Sequence, residues 1–344
     1  MTSSTTTAPA RPGGRSADRA PGRVAPYLKL TAAGLAVLAL AVVSLFVGAS
    51  DITLQRLIED PEARELFLIS RLPRTLALLL AGAAMSVAGL IMQMLTQNRF
   101  VEPSTAGTVE SAALGILIIT LLAPAAPLPV KMTAACLAAL VGTFLFLGVL
   151  QRVALKSSLI VPLVGIMLGA VISAVTTFIA LRTDLLQTLG TWQSGDFSGV
   201  MQGRYEQLWL VGALALLAYL VADRLTVAGL GRDIAVSVGL NYRTVMALGV
   251  GIVAVVSGVV VSVVGTLPFL GLIVPNLVSM AVGDHVRRGV PWVCLLGGGV
   301  LVLCDILARV IRAPFEIPVG TVLGVVGAAV FLFMLLRRSN HVRR

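Results

Sequence analysis

Ten stretches of this chain, at about 27–49, 72–95, 105–122, 129–150, 159–181, 207–222, 244–266, 269–283, 291–308 and 318–336, are nearly unbroken runs of apolar residues, with the polar residues collected between them. A hydrocarbon core about 30 Å thick takes about 20 apolar residues in a helix to cross. Inside it no peptide group can be left unpaired, so each such run must be helical. The pattern predicts an all-α polytopic membrane protein of about ten transmembrane helices, or nine if the short eighth run, interrupted by Pro275, does not cross.

Composition agrees, since 57% of the 344 residues are hydrophobic and 12% charged, too little polar surface to cover a water-soluble globule. Charge then sets the orientation. With both termini inside, the inner segments hold 17 of the 26 Lys and Arg and the outer ones 9, which is the positive-inside bias of a multi-pass protein of the cytoplasmic membrane. The formal net charge of +10 would suit nucleic acid, but no soluble domain exists to carry a basic face, so nucleic-acid binding is excluded. Residues 1–26, rich in Ser, Thr, Ala, Pro, Gly and Arg, read as a disordered cytosolic tail. Residues 27–338 then form the transmembrane domain and 339–344 a cytosolic C-terminal tail. Cys136, Cys294 and Cys304 all fall in apolar runs, where cysteine acts as a small hydrophobe.

Several chemistries are missing. The three lysines, Lys29, Lys131 and Lys156, do not follow a glycine, so the chain has no phosphate-cradling Gly-Lys-Ser/Thr loop and binds no ATP of its own. If ATP and Mg²⁺ drive it, another chain holds them. The two histidines, His285 and His341, lie in inner segments, and no cluster of metal-ligating residues falls within a membrane run. We expect no bound metal, no cofactor and no catalytic residue, and any iron cargo should arrive chelated. Coupling to an ion gradient would need ionisable groups in the bundle. Glu110, near the N-terminus of the third helix if Ser104 or Thr105 caps it, and Asp305, with Arg309 one turn on, are the candidates; the helix dipole offsets the first and local pairing explains the second.

The second run carries Ser86-Val87-Ala88-Gly89 and the seventh Ser262-Val263-Val264-Gly265, consistent with two inverted-repeat halves. The stretch RLPRTLALLLAGAAMSVAGLIMQMLTQNRFVEPSTAGT, Arg71 to Thr108, joins an arginine pair to a glycine-bearing helix and a polar loop. Together with TLPFLGLIVPNLVSMAVGDHVRR (Thr266–Arg288), DILARVIRAPFEIPVGTVLGVVGAAVFLFMLL (Asp305–Leu336) and GLGRDIAVSVGL (Gly229–Leu240), it closely resembles the permease subunits of binding-protein-dependent iron-siderophore importers, the FecCD/cobalamin-permease-like family. Asn276, Ser279 and Ala328 depart from the common His, Arg and Pro. NRFVEPSTAGTVES also stands for the commoner NPLADPxxLGVSxG, a set resembling the branch associated with catecholate-type ferric siderophores.

The resemblance implies a type II ABC importer fold: two permeases, identical or paralogous, around one path, two cytosolic ATPase subunits, and an extracytoplasmic binding protein that delivers the ferric siderophore. It implies that Arg71, Arg74 and Arg309 meet acidic residues of the binding protein, where arginine pairs bidentately with carboxylates; anchoring to phospholipid headgroups is the alternative. It places Arg232, Asp233, Val236, Gly239 and Leu240 against the ATPase, with an interfacial helix on lipid as the alternative. Ser157 and Ser158 match the cytoplasmic gate, although a helix cap explains them equally. Haem or cobalamin is an alternative cargo on the same fold. An ion-coupled secondary transporter working through Asp305 or Glu110 is the alternative from another class.

Overall fold

The computed structural model describes residues 25–48, 53–152, 160–283 and 285–342, and among these every regular element is helical. The first half comprises α1 (Ala25–Phe46), α2 (Leu54–Glu59), α3 (Pro61–Leu66), α4 (Leu72–Leu95), α5 (Thr108–Leu122), α6 (Leu128–Leu150) and α7 (Ile160–Arg182). The second comprises α8 (Leu186–Gln193), α9 (Leu208–Leu220), α10 (Ala222–Gly229), α11 (Arg232–Ser237), α12 (Tyr242–Val264), α13 (Leu270–Val282), α14 (Val286–Val310) and α15 (Val319–Val342). Six helical segments are long and apolar enough to cross a membrane, and a bent pair, Tyr205–Leu220 with Ala222–Gly229 at 67°, adds a seventh. The runs expected at 105–122, 269–283 and 318–336 form shorter apolar helices: Thr108–Leu122, Leu270–Val282 and Val319–Met334.

The helix α4 is the hub, and α9, α12, α13 and α14 pack around it. Its Ala and Gly residues make this possible, because small side chains let backbones approach where lipid supplies no hydrophobic drive between helices. A Cβ on Gly89 would stand 2.1 Å from the Gly271 carbonyl oxygen of α13, and one on Gly82 would stand 2.5 Å from that of Gly297 in α14. By contrast, α6 and α7 leave Leu137, Val141, Phe144, Met167, Val171 and Phe178 exposed, the faces a bilayer or a second subunit would cover.

Local chemistry revises several expectations. Gly107, left-handed at φ 77, precedes α5 and no side chain caps that helix; Ser104 and Thr105 bond instead to Glu102. Glycine serves there because other residues resist that conformation. Gly89 lies inside α4, whereas Gly265 ends α12 at φ 88, so the Ser-Val-Ala/Val-Gly pair does not mark equivalent positions. Helix α14 starts at Val286 and carries Pro291 inside it. Helix α15 runs on to Val342, so the expected tail at 339–344 is helical in its first part.

The α4–α13 contact supplies a test. Gly89→Val should lower the detergent-solubilised thermal midpoint and the assembled yield, since overpacking of this kind costs about 1–3 kcal/mol or more. An unchanged midpoint would show that the two backbones do not meet there.

Candidate functional site

Three constellations lie along the molecule. The first is a knot of charge where α4 begins and α14 ends. Arg74, on the first turn of α4, donates from Nε and Nη2 to Asp305 Oδ1 at 3.0 and 2.7 Å, and from Nη1 to Glu316 at 2.7 Å. Arg309, one turn after Asp305 on α14, pairs with Asp305 Oδ2 and donates to Ser44 Oγ at 2.6 Å and the Val47 carbonyl at 2.6 Å. Arg71 reaches the same Val47 carbonyl. Asp305 thus sits between two guanidinium groups with its side chain fully enclosed, and the cluster joins α1, α4, α14 and the connection into α15. Arg74 and Arg309 are 8% and 5% exposed, so they lie inside the subunit and not on its outer surface. The sequence expectation of an Asp305–Arg309 pair holds, and the second arginine, 231 residues away, is what sequence spacing did not reveal.

The second constellation is a clasp at the broken helix α13. Pro275 has no N–H, so the Gly271 carbonyl four residues earlier loses its helical partner. Gln93 Nε2 of α4 supplies the donor at 3.2 Å. At the start of α13 the first amides turn to Glu102 of the α4–α5 loop. Its carboxylate accepts from Phe269 N at 3.0 Å and faces the N–H groups of Gly271 and Leu272, while Ser104 Oγ donates to it at 2.6 Å. A carboxylate at a helix N-terminus is favoured by both the free amides and the dipole. Asn276 completes the clasp by donating to the Arg99 carbonyl at 2.9 Å. Sequence reasoning singled out Asn276 only as a departure from histidine and missed Glu102 and Gln93; Pro275 inside an apolar run was the available signal. Glu110, by contrast, leaves Oε2 without a hydrogen-bond partner among the described residues.

The third is the short segment between α10 and α12. Helix α11 ends in Gly239 at φ 80, with Gly239 N bonded to the Val236 carbonyl at 3.0 Å and Leu240 N to that of Ala235 at 2.9 Å. This paired closure is what a glycine just past a helix end makes possible. Arg232, Asp233, Val236 and Gly239 are exposed, while Leu240 packs against the core and anchors the segment. Ile234, Val236 and Val238 are 49%, 55% and 66% exposed, an apolar patch on a polar connection. Ser157 and Ser158 lie outside the described residues. Among those residues no group of three or more His, Cys, Asp or Glu could hold a metal ion.

The charge knot predicts its own failure. Asp305→Asn should lower thermal stability by about 3–5 kcal/mol, because it leaves the buried Arg309 guanidinium without a carboxylate and Arg74 with only Glu316. Melting of the solubilised protein measures it; a change below about 1 kcal/mol would mean that water, not Asp305, balances those charges.

The FecCD transport family matches residues 36–337. The petrobactin import system permease protein FatD of Bacillus anthracis is 50% identical over 309 residues, 90% of this chain and 91% of that protein. The petrobactin import system permease protein YclN of Bacillus subtilis is 45% identical over 91% of this chain and 100% of its own length. The ferric-anguibactin transport system permease protein FatD of Vibrio anguillarum is 39% identical over 89% and 98%. Among solved structures, an inward-facing metal-chelate type ABC transporter matches with a TM-score of 0.78 over 90% of this chain and 99% of its own, at 22% identity, a likeness of fold.

Proposed function

This chain belongs to the FecCD transport family, and on that premise we propose that it is the membrane-spanning subunit of an ATP-driven importer that carries ferric-siderophore complexes across the cytoplasmic membrane. The observation that carries the reading is full-length similarity, at 50% and 45% identity, to two permeases of petrobactin import systems. The cargo follows as a ferric chelate of the catecholate type, supported by that similarity and by the loop and α13 residues that set this branch apart.

The remaining architecture extends the reading. Ten crossings follow if the three shorter apolar helices and the bent pair each count as one, with both termini in the cytosol and two related halves. A second permease covers the exposed α7 face, and two ATPase subunits dock on the inner side. The exposed patch of α11, with Arg232, Asp233 and Val236 around it and Gly239 closing it, is the contact for the ATPase, since small apolar side chains on a rigid short helix can fill a cleft in a partner. Ser157 and Ser158 are assigned to the cytoplasmic gate.

Docking of the binding protein falls on the knot of Arg71, Arg74 and Arg309, with a condition set by the geometry. Acidic lobes reach Arg74 and Arg309 only by competing with Asp305 and Glu316, so docking and the internal charge balance are coupled. The reading of an ion-coupled carrier loses Asp305, which is committed to two arginines.

The coupling contact is testable. Val236→Asp, at an exposed position, should leave the stability within about 0.5 kcal/mol of the parent and reduce co-purification of the ATPase subunit at least tenfold. Equal recovery of the ATPase with parent and variant would show that α11 does not touch the motor.

A further inference from the structure

Helices α6 and α12 run together closely at one level and separate at another. They meet where a Cβ on Gly258 would stand 2.6 Å from the Cys136 backbone nitrogen. Toward the end of α6 and the start of α12 they part, and a cleft of about 750 Å³ opens between them.

The lining of the cleft changes character along its length. Farther from the helix ends it is Phe144 and Leu147 from α6 and Met246 and Val250 from α12. One to two helical turns nearer the helix ends it is Gln151, Tyr242, Arg243 and, from the start of α11, Arg232. Among the described residues no acidic side chain lines it; Asp233 lines an adjoining cavity. Arg232 and Arg243 form no ion pair among the described residues. Phe144 is 52% exposed, and the neighbouring Val141 and Leu145 of α6 are 67% and 49% exposed, so the apolar part of the cleft continues into the exposed apolar face of α6.

A soluble partner would match the cationic rim and leave the apolar depth unfilled. A molecule with an anionic head and a hydrocarbon tail matches both. We propose that this cleft binds one anionic phospholipid, its phosphate against Arg232 and Arg243 and an acyl chain along Phe144, Leu147, Met246 and Val250. Two guanidinium groups suit a phosphodiester through forked hydrogen bonds, and basic pockets between membrane helices on the cytosolic side select net-negative headgroups. The proposal rests on the inner-side placement of α11 given above. It does not depend on the cargo.

The test is native mass spectrometry of the chain with its ATPase subunit, released from nanodiscs of equal parts phosphatidylglycerol and phosphatidylcholine. The parent complex should retain phosphatidylglycerol in preference to phosphatidylcholine. Arg243→Gln should lower that retention about fivefold, the effect of one cation near an anionic headgroup, and Arg243→Lys should restore most of it. Gly148→Leu should lower it from the apolar end without touching charge, because a Cβ at Gly148 meets nothing within 4 Å and the new side chain can occupy the cleft. Arg152→Gln, exposed and outside the lining, serves as the control and should retain the lipid.

Equal retention in the parent, Arg243→Gln and Gly148→Leu would overturn the proposal. So would displacement of the lipid by inorganic phosphate, which would mark a free-anion site. Loss of the ATPase from Arg243→Gln with the lipid retained would make the cleft a protein-docking surface. Lipid retention is read independently of transport, so its failure leaves the permease reading standing, and failure of the permease reading would appear in the ATPase subunit and not in the lipid.

Discussion

Hydrocarbon does not tolerate an unpaired peptide group, and the places where this chain breaks its helices are organised around that constraint. Pro73 frees the Ile69 carbonyl, which the Gln202 N–H of a distant connection takes at 2.9 Å. Pro275 frees the Gly271 carbonyl, which Gln93 takes. The amides at the start of α13 turn to Glu102. Each of these three repairs comes from another element, so these interruptions also tie separate parts of the chain together. The central helix α4 gains its fixed relation to α13 this way, and the Gly89–Gly271 contact leaves no room for an alternative register.

The charge knot obeys the same economy at a higher cost per group. Burying Arg74 and Arg309 is tolerable only because Asp305 meets both and because Glu316, Ser44 and the Val47 carbonyl absorb the remaining donors. Three arginines against two carboxylates leave the cluster net positive, so an acidic surface docking from outside meets an attractive potential even while the individual arginines stay paired. The positions of α1, α4 and α14 are thereby linked in one network.

Much of the helix plan was legible in the sequence. The expected 72–95 run is the helix Leu72–Leu95, and the run at 129–150 begins one residue early. What escaped was chemistry that depends on a partner far along the chain. Asp305 and Arg309 are one turn apart and their pairing could be anticipated, but Arg74 arrives from the other half, and no local pattern announces it. Glu102 looked like one more polar loop residue, because the amides it serves belong to α13. Gly107 rather than Ser104 or Thr105 opens α5 because those two side chains are already engaged with Glu102. Gly239 makes the left-handed turn that ends α11, and its neighbours in sequence give no sign of that geometry.

The proposed function is that of a permease whose transport is driven by ATP held on a partner subunit. The most direct test is uptake of a radiolabelled ferric siderophore into proteoliposomes containing this permease and its ATPase, with the binding protein on the outside and ATP enclosed. Uptake should require both enclosed ATP and external binding protein, and it should persist when proton and sodium gradients are collapsed. Uptake driven by an ion gradient in the absence of ATP would contradict it.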